Sequence, residues 1–182
     1  MKTIIPTLTL LLFINFAFGQ CKNAKTTRSE ILEFINSFDK IDTTRIFYLS
    51  SSNQFEKIEE DLRVVFKDTA FSSFDKEFFR KQIKQHRNFK WNNKIAKNRQ
   101  VISERKISKI FKDKQKWWKH FQKKYGSSYH CFSVPIFTCD KQTVIIYRST
   151  HCGPLCGDGS IDVFTKVNGK WTFKKDYGFW IS

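Results

Sequence analysis

The 182-residue sequence predicts an α+β domain in which N-terminal helices pack on a C-terminal antiparallel four-stranded meander. Three observations carry that expectation. Before Gly126, apolar residues recur at helical spacing, as in Ile31, Leu32, Phe34, Ile35 and Phe38. After Gly126 they alternate with a period of two. Asn168-Gly169 then separates two alternating segments, and both positions of such a two-residue hairpin turn require positive φ.

The elements follow in order. Thr27 stands three residues before Glu30, the reciprocal cap of a helix start, and the apolar stripe from Ile31 to Phe38 makes that helix amphipathic. Residues 45–49 read as a short strand. Phe55, Ile58 and Leu62 favour a helix over 53–66. Phe74, Phe78, Phe79 and Ile83 share one face of a helix that begins at Ser73. Residues 103–111 and 113–126 continue in that manner, with Trp117, Phe121 and Tyr125 in one stripe, Trp118 just off it as the aromatic expected to reach solvent, and Gly126 as the stop. Four strands are expected at 132–138, 143–149, 160–167 and 170–175. Pro135 lacks an amide hydrogen, which places the first of them on an edge. The second is apolar on both faces and belongs in the centre. Phe179, Trp180 and Ile181 are expected to close the core. A helix-then-curved-sheet cone of the nuclear-transport-factor-2 type is one fold of this class, by analogy of element order alone.

Residues 1–19 read as a signal peptide: Lys2, an apolar run from Ile4 to Phe18, and the small-x-small pattern Ala17-Phe18-Gly19. Residues 20–182 then form a single α+β domain, with a basic helical part at 76–125 and a sheet part at 127–182. The run is short of the roughly 20 apolar residues that span a bilayer. Cys21 raises the alternative of a lipoprotein, but Gln20 occupies the place where lipid modification needs a small residue. The expected product is an exported, soluble chain, periplasmic or extracellular, with no transmembrane segment after leader removal.

An oxidising compartment bears on "HCGPLCGDG", residues 151–159. Three residues separate Cys152 from Cys156 and a strand follows, so this is not the Cys-x-x-Cys helix mouth of a thiol oxidoreductase. A disulfide across the Gly153-Pro154 turn fits. Pairing 132–138 with 143–149 through a turn at 139–142 sets Cys131 beside residue 150, where it competes as a partner for Cys152 or Cys156. Cys139 lies about 26 Å along the strand from Cys131, too far for those two to join. The chain has five cysteines, so at least one is left over, with Cys21 or Cys139 expected in that role. The same register gathers His130, Cys131 and His151, the set for a metal or a thiol nucleophile. No Cys-x-x-Cys knuckle, orienting carboxylate or oxyanion hole accompanies them, and adjacent strand residues face opposite sides. Asp158, Ser160 and Asp162 alternate as in a calcium loop but lack its central glycine and closing glutamate. No cofactor and no catalytic residue is assigned.

The pattern "CGPLCGDGSIDVFTKVNGKW" with a terminal "WIS" resembles a group of uncharacterised exported proteins of Gram-negative bacteria. They share the Cys-Gly-x-Leu-Cys-Gly turn and a strand ending in Asn-Gly-Lys-Trp. The resemblance covers roughly the last third of the chain. It implies export and a meander, and it brings no catalytic residue.

Charge is concentrated. Residues 76–125 carry 18 basic and 3 acidic side chains, while residues 20–75 carry 8 and 10. A merely lysine-rich surface would spread through the chain and be balanced by glutamate. A concentrated positive field attracts polyanions in a salt-dependent way. The anion-binding candidates are Arg80, Lys81, Lys84, Arg87, Arg105, Lys109, Lys112, Lys116, Lys119 and Lys123. The expected function is a non-enzymatic exported domain that uses these helices to bind an anionic envelope component, an acidic polysaccharide or an acidic protein. Nucleic acid ranks below these. The alternatives are an envelope enzyme centred on His130, Cys131 and His151, and an inhibitor- or immunity-type partner protein.

Overall fold

The computed structural model describes residues 25–37, 47–51, 53–94, 99–112 and 117–182. The expectations for the leader, Cys21 and Lys116 lie outside them. The described residues form five helices and seven strands: α1 (Arg28–Ser37), β1 (Phe47–Ser50), α2 (Phe55–Lys67), α3 (Ser73–His86), β2 (Arg99–Ile102), α4 (Glu104–Phe111), α5 (Trp117–Tyr125), β3 (Tyr129–Phe132), β4 (Ile136–Phe137), β5 (Thr143–Gly153), β6 (Cys156–Val167) and β7 (Lys170–Ile181). The arrangement is α+β, as the change of period predicts.

Local chemistry explains the helix starts. The Thr27 amide donates to Glu30 Oε2 at 2.7 Å, and the Glu30 amide donates to Thr27 Oγ1 at 3.2 Å. Ser72 and Asp75 form the same reciprocal cap at α3. Each pair satisfies amides that the first helical turn leaves without partners. α1 buries Ile31, Phe34 and Ile35, and Phe34 meets Phe137, Phe164 and Trp171 edge-on at 5.3–6.3 Å. α3 buries Phe78, Phe79 and Gln82. Gln82 fastens α3 to the two-residue strand β4. Its Nε2 donates to the Phe137 carbonyl at 2.7 Å, and its Oε1 accepts from the Phe137 amide at 2.9 Å.

The sheet is larger than a four-stranded meander. Its order is β2-β1-β3-β5-β6-β7, with β4 also on β5. β1 and β2 pair in parallel, and β1 also pairs in parallel with β3. β3 therefore lies inside the sheet, contrary to the edge placement, whereas β4, next to Pro135, pairs among the described strands with β5 alone and keeps an open edge. The missing amide of Pro135 acts differently: Ser133–Pro135 leave the ladder and divide the strand into β3 and β4. Ser133 replaces the lost pairing, its amide donating to the Tyr147 carbonyl and its Oγ accepting from the Tyr147 amide, each at 2.9 Å. This interruption shifts the register by one, so Cys131 faces Ser149 rather than residue 150.

β5 is central, and Val144, Ile145, Ile146 and Tyr147 are all buried. Asn168 and Gly169 turn with φ of 50° and 75°, as the dipeptide requires. The tail corrects an expectation. It extends β7 along the sheet edge instead of closing the core, which leaves Phe179 55% and Ile181 74% exposed. Trp180 is half-buried against Gly159, where an added Cβ would sit 2.5 Å from the indole nitrogen. Only glycine admits that close approach.

Candidate functional site

α4 and α5 form a helical hairpin with an apolar cluster of its own. Ile102, Ile107, Trp118 and Phe121 are buried together, flanked by Ile110, Phe111, Trp117, Tyr125 and Tyr129. Phe111 stacks on Phe121 at 5.8 Å, and Trp118 stacks on Tyr129 at 6.1 Å. Trp118 is thus buried and Trp117 only half-buried, the reverse of the expected exposure. The reason is helical phase: Trp118 points at β3, the strand that docks the hairpin on the sheet.

With that face committed to packing, the polar face holds the charge. Arg105, Lys106, Lys109, Lys112, Lys119, Lys123 and Lys124 are all exposed, and Glu104 is the sole carboxylate on the two helices. Among the described residues, none of these seven cations takes part in an ion pair. The candidates on α3 differ. Arg80 lies over the Phe66 ring at 4.4 Å, and Lys81 pairs with Glu77 at 2.8 Å. Lys84 and Arg87 are exposed. α3 packs on the main core and α4–α5 on the second cluster, so the nine described candidates divide between two helical units.

The cysteine-rich stretch is a stapled hairpin. Cys152 and Cys156 are disulfide-bonded with their α-carbons 5.0 Å apart, and Gly153 pairs with Cys156 across the turn. Cys131 does not compete: it is buried on β3, and Cys152 and Cys156 are joined to each other. Cys139 is disulfide-bonded and is not the cysteine left over.

His130, Cys131 and His151 do not converge. Tyr129 pairs with His151, His130 with Thr150, and Cys131 with Ser149, so His130 faces one side of the sheet while Cys131 and His151 face the other. His130 Nδ1 lies 3.2 Å from Thr150 Oγ1. His151 Nε2 lies 3.2 Å from Ser149 Oγ, and its ring stacks on Tyr129 at 4.9 Å. Among the described residues, no group of three or more His, Cys, Asp or Glu side chains is placed to hold a metal ion.

Burial lowers the His130 pKa to about 4, helped by Arg99, Arg148 and His151 and opposed by Asp158. An unfolded histidine titrates near 6.5. Between those values the unfolded chain binds the extra proton, so stability is complete above pH about 6.5 and falls as pH drops towards 4. The full span is worth about 3 kcal/mol. His86, also lowered by burial, adds a slope of the same sign. The difference between wild type and His130→Gln isolates His130. Urea midpoints measured from pH 7 to 4.5 are expected to fall less in the variant; parallel curves contradict this.

A buried ionic group on β5 and β6 was not singled out by the sequence. The Arg148 Nε donates to Asp162 Oδ2, and Ser160 Oγ donates to Asp162 Oδ1 at 2.5 Å. Ser160 and Asp162 are the alternating positions that resemble a calcium loop; here they share one strand face and answer an arginine from the neighbouring strand. The usable signal was an acidic residue at the i+2 position from a serine in an otherwise apolar strand. Elsewhere, Lys175 and Tyr177 donate to Asp68, which holds its carboxyl well below the usual carboxylate range. That group ties β7 to the end of α2.

No family model, curated protein or solved structure matches this chain.

Proposed function

We propose that the chain is an exported, non-enzymatic domain that binds an anionic envelope component through the basic face of α4–α5. One observation carries the reading: α4 with its C-cap and α5 present seven exposed cations against one carboxylate, and among the described residues none of the seven is in an ion pair. Neutralising partners are what an ordinary surface supplies, and their lack leaves an uncompensated field that draws an anion from solution. The hairpin packs through its own apolar cluster, so the charge is mounted on a supported element. The leader-like residues 1–19, the resemblance to exported proteins and the Cys152–Cys156 disulfide support export. Among the described residues no helix is long and apolar enough to cross a membrane.

The test is retention on a sulfated-polysaccharide resin. The protein is expected to bind at low ionic strength and to elute steadily as salt screens the field over a Debye length of about 8–10 Å. Retention no stronger than that of a near-neutral protein of similar size overturns the reading.

A further inference from the structure

The stapled turn has no part in the reading above, yet it carries an unusual side chain. Leu155 is 88% exposed at the tip of the β5–β6 hairpin, between Pro154 and Cys156, which are exposed as well. A leucine so placed has no packing role in the fold. The disulfide joins the residues on either side of the Gly153-Pro154-Leu155 turn and holds the tip in one shape. A second exposed aliphatic side chain lies at the same end: Ile181 pairs with Asp158, and Ser182 exchanges backbone hydrogen bonds with Gly157 at 2.9 and 3.2 Å. Phe179, exposed beside the half-buried Trp180, extends the apolar surface along β7.

This tip belongs to the same end of the sheet as the basic hairpin. Trp118 and Phe121 pack on Tyr129, Tyr129 stacks on His151, and His151 lies 6.1 Å from the Trp180 ring. The residue after His151 is the first cysteine of the staple. The apolar tip and the basic hairpin therefore share one end of the sheet, with Ile181 on the face opposite Tyr129, His151 and Trp180, so a surface that meets both must approach that end of the strands rather than one face.

We propose that this end of the molecule docks on an anionic phospholipid surface, with Leu155 and Ile181 entering the interface and α4–α5 lying against the headgroups. The inference rests on the anion-binding reading and names its partner. Three features favour a lipid surface over a folded acidic protein. The apolar element is a protruding tip rather than a groove, and a fluid bilayer accepts a protrusion without a matching pocket. Aliphatic side chains beside Trp180 match the composition of proteins that seat in the headgroup boundary. Cations spread over two helices suit a surface whose charge is laterally continuous, each adding to the attraction.

The experiment is co-sedimentation of the full exported chain with vesicles of phosphatidylcholine alone or containing phosphatidylglycerol, alongside the sulfated resin. Wild type is expected to bind only the phosphatidylglycerol vesicles. The Leu155→Ser, Ile181→Ser variant is expected to lose about tenfold or more in vesicle affinity, the scale set by removing leucine-sized burial. Its elution from the resin should be unchanged, which also reports an intact fold. Unaltered vesicle binding by the variant overturns the docking proposal while the anion-binding reading stands. Retention of wild type on resin without binding to either vesicle overturns it too, and directs the basic hairpin to a polysaccharide or protein. Failure to bind the resin removes the reading beneath both.

Discussion

Arg148→Met is expected to destabilise the domain by about 3–5 kcal/mol, more than Asp162→Asn does. The asymmetry follows from burial. The Asp162 side chain is 2% exposed and that of Arg148 is 39% exposed. Removing the arginine leaves a carboxylate in the interior with Ser160 as its remaining donor, and an uncompensated buried charge is the expensive outcome of breaking an ion pair. Removing the aspartate charge instead leaves a guanidinium that reaches water, and an amide that still accepts from Ser160. Denaturant unfolding of both variants measures the difference. A larger loss for Asp162→Asn would mean that the arginine, not the aspartate, is the poorly solvated partner.

Neutralising the α4–α5 face is expected to have the largest effect on binding. In Lys109→Gln, Lys112→Gln, Lys119→Gln, Lys123→Gln, affinity for an anionic surface should fall by about a thousandfold at low salt, taking each cation as worth about 1 kcal/mol near such a surface. These side chains are exposed and make no ion pair among the described residues, so the fold should be unaffected. The matched variant Arg80→Gln, Lys81→Gln, Lys84→Gln, Arg87→Gln is expected to lose much less. Lys81 is already partnered by Glu77, and α3 packs on the other core cluster. Titration of both variants against the same anionic surface at two salt concentrations reads the effect; equal losses would assign the field to the whole basic segment.

What the sequence made legible was local. The Thr27–Glu30 cap, the Asn168-Gly169 turn, the α4–α5 stop at Gly126 and the Cys152–Cys156 staple each rest on residues within a few positions of one another. Their physics is complete at that range. β2 was missed because a four-residue parallel strand gains its stability from β1, about fifty residues away, and carries no turn signal of its own. The register slip at Cys131 has a similar origin. Pro135 announces that a ladder bond is lost, but how much of the strand stays inside the sheet depends on the neighbours, and β1 pairs with β3 and not with β4. Hydrophobicity alone placed Phe179 and Ile181 in the core, whereas edge position and two register shifts along β6–β7 leave them outside. Of the candidate site, the charge concentration was visible in composition. The division between α3 and α4–α5 was not, because it is set by which apolar cluster each helix joins.

Lysine acetylation footprinting of the native protein, with and without the anionic partner surface, tests the central claim most directly. Mass spectrometry reports each lysine separately, and all the α4–α5 lysines are exposed in the free protein. The account predicts protection of Lys109, Lys112, Lys119 and Lys123, with Lys81 and Lys84 reacting as before. Protection centred on Lys81 and Lys84, or spread evenly over the chain, would contradict it.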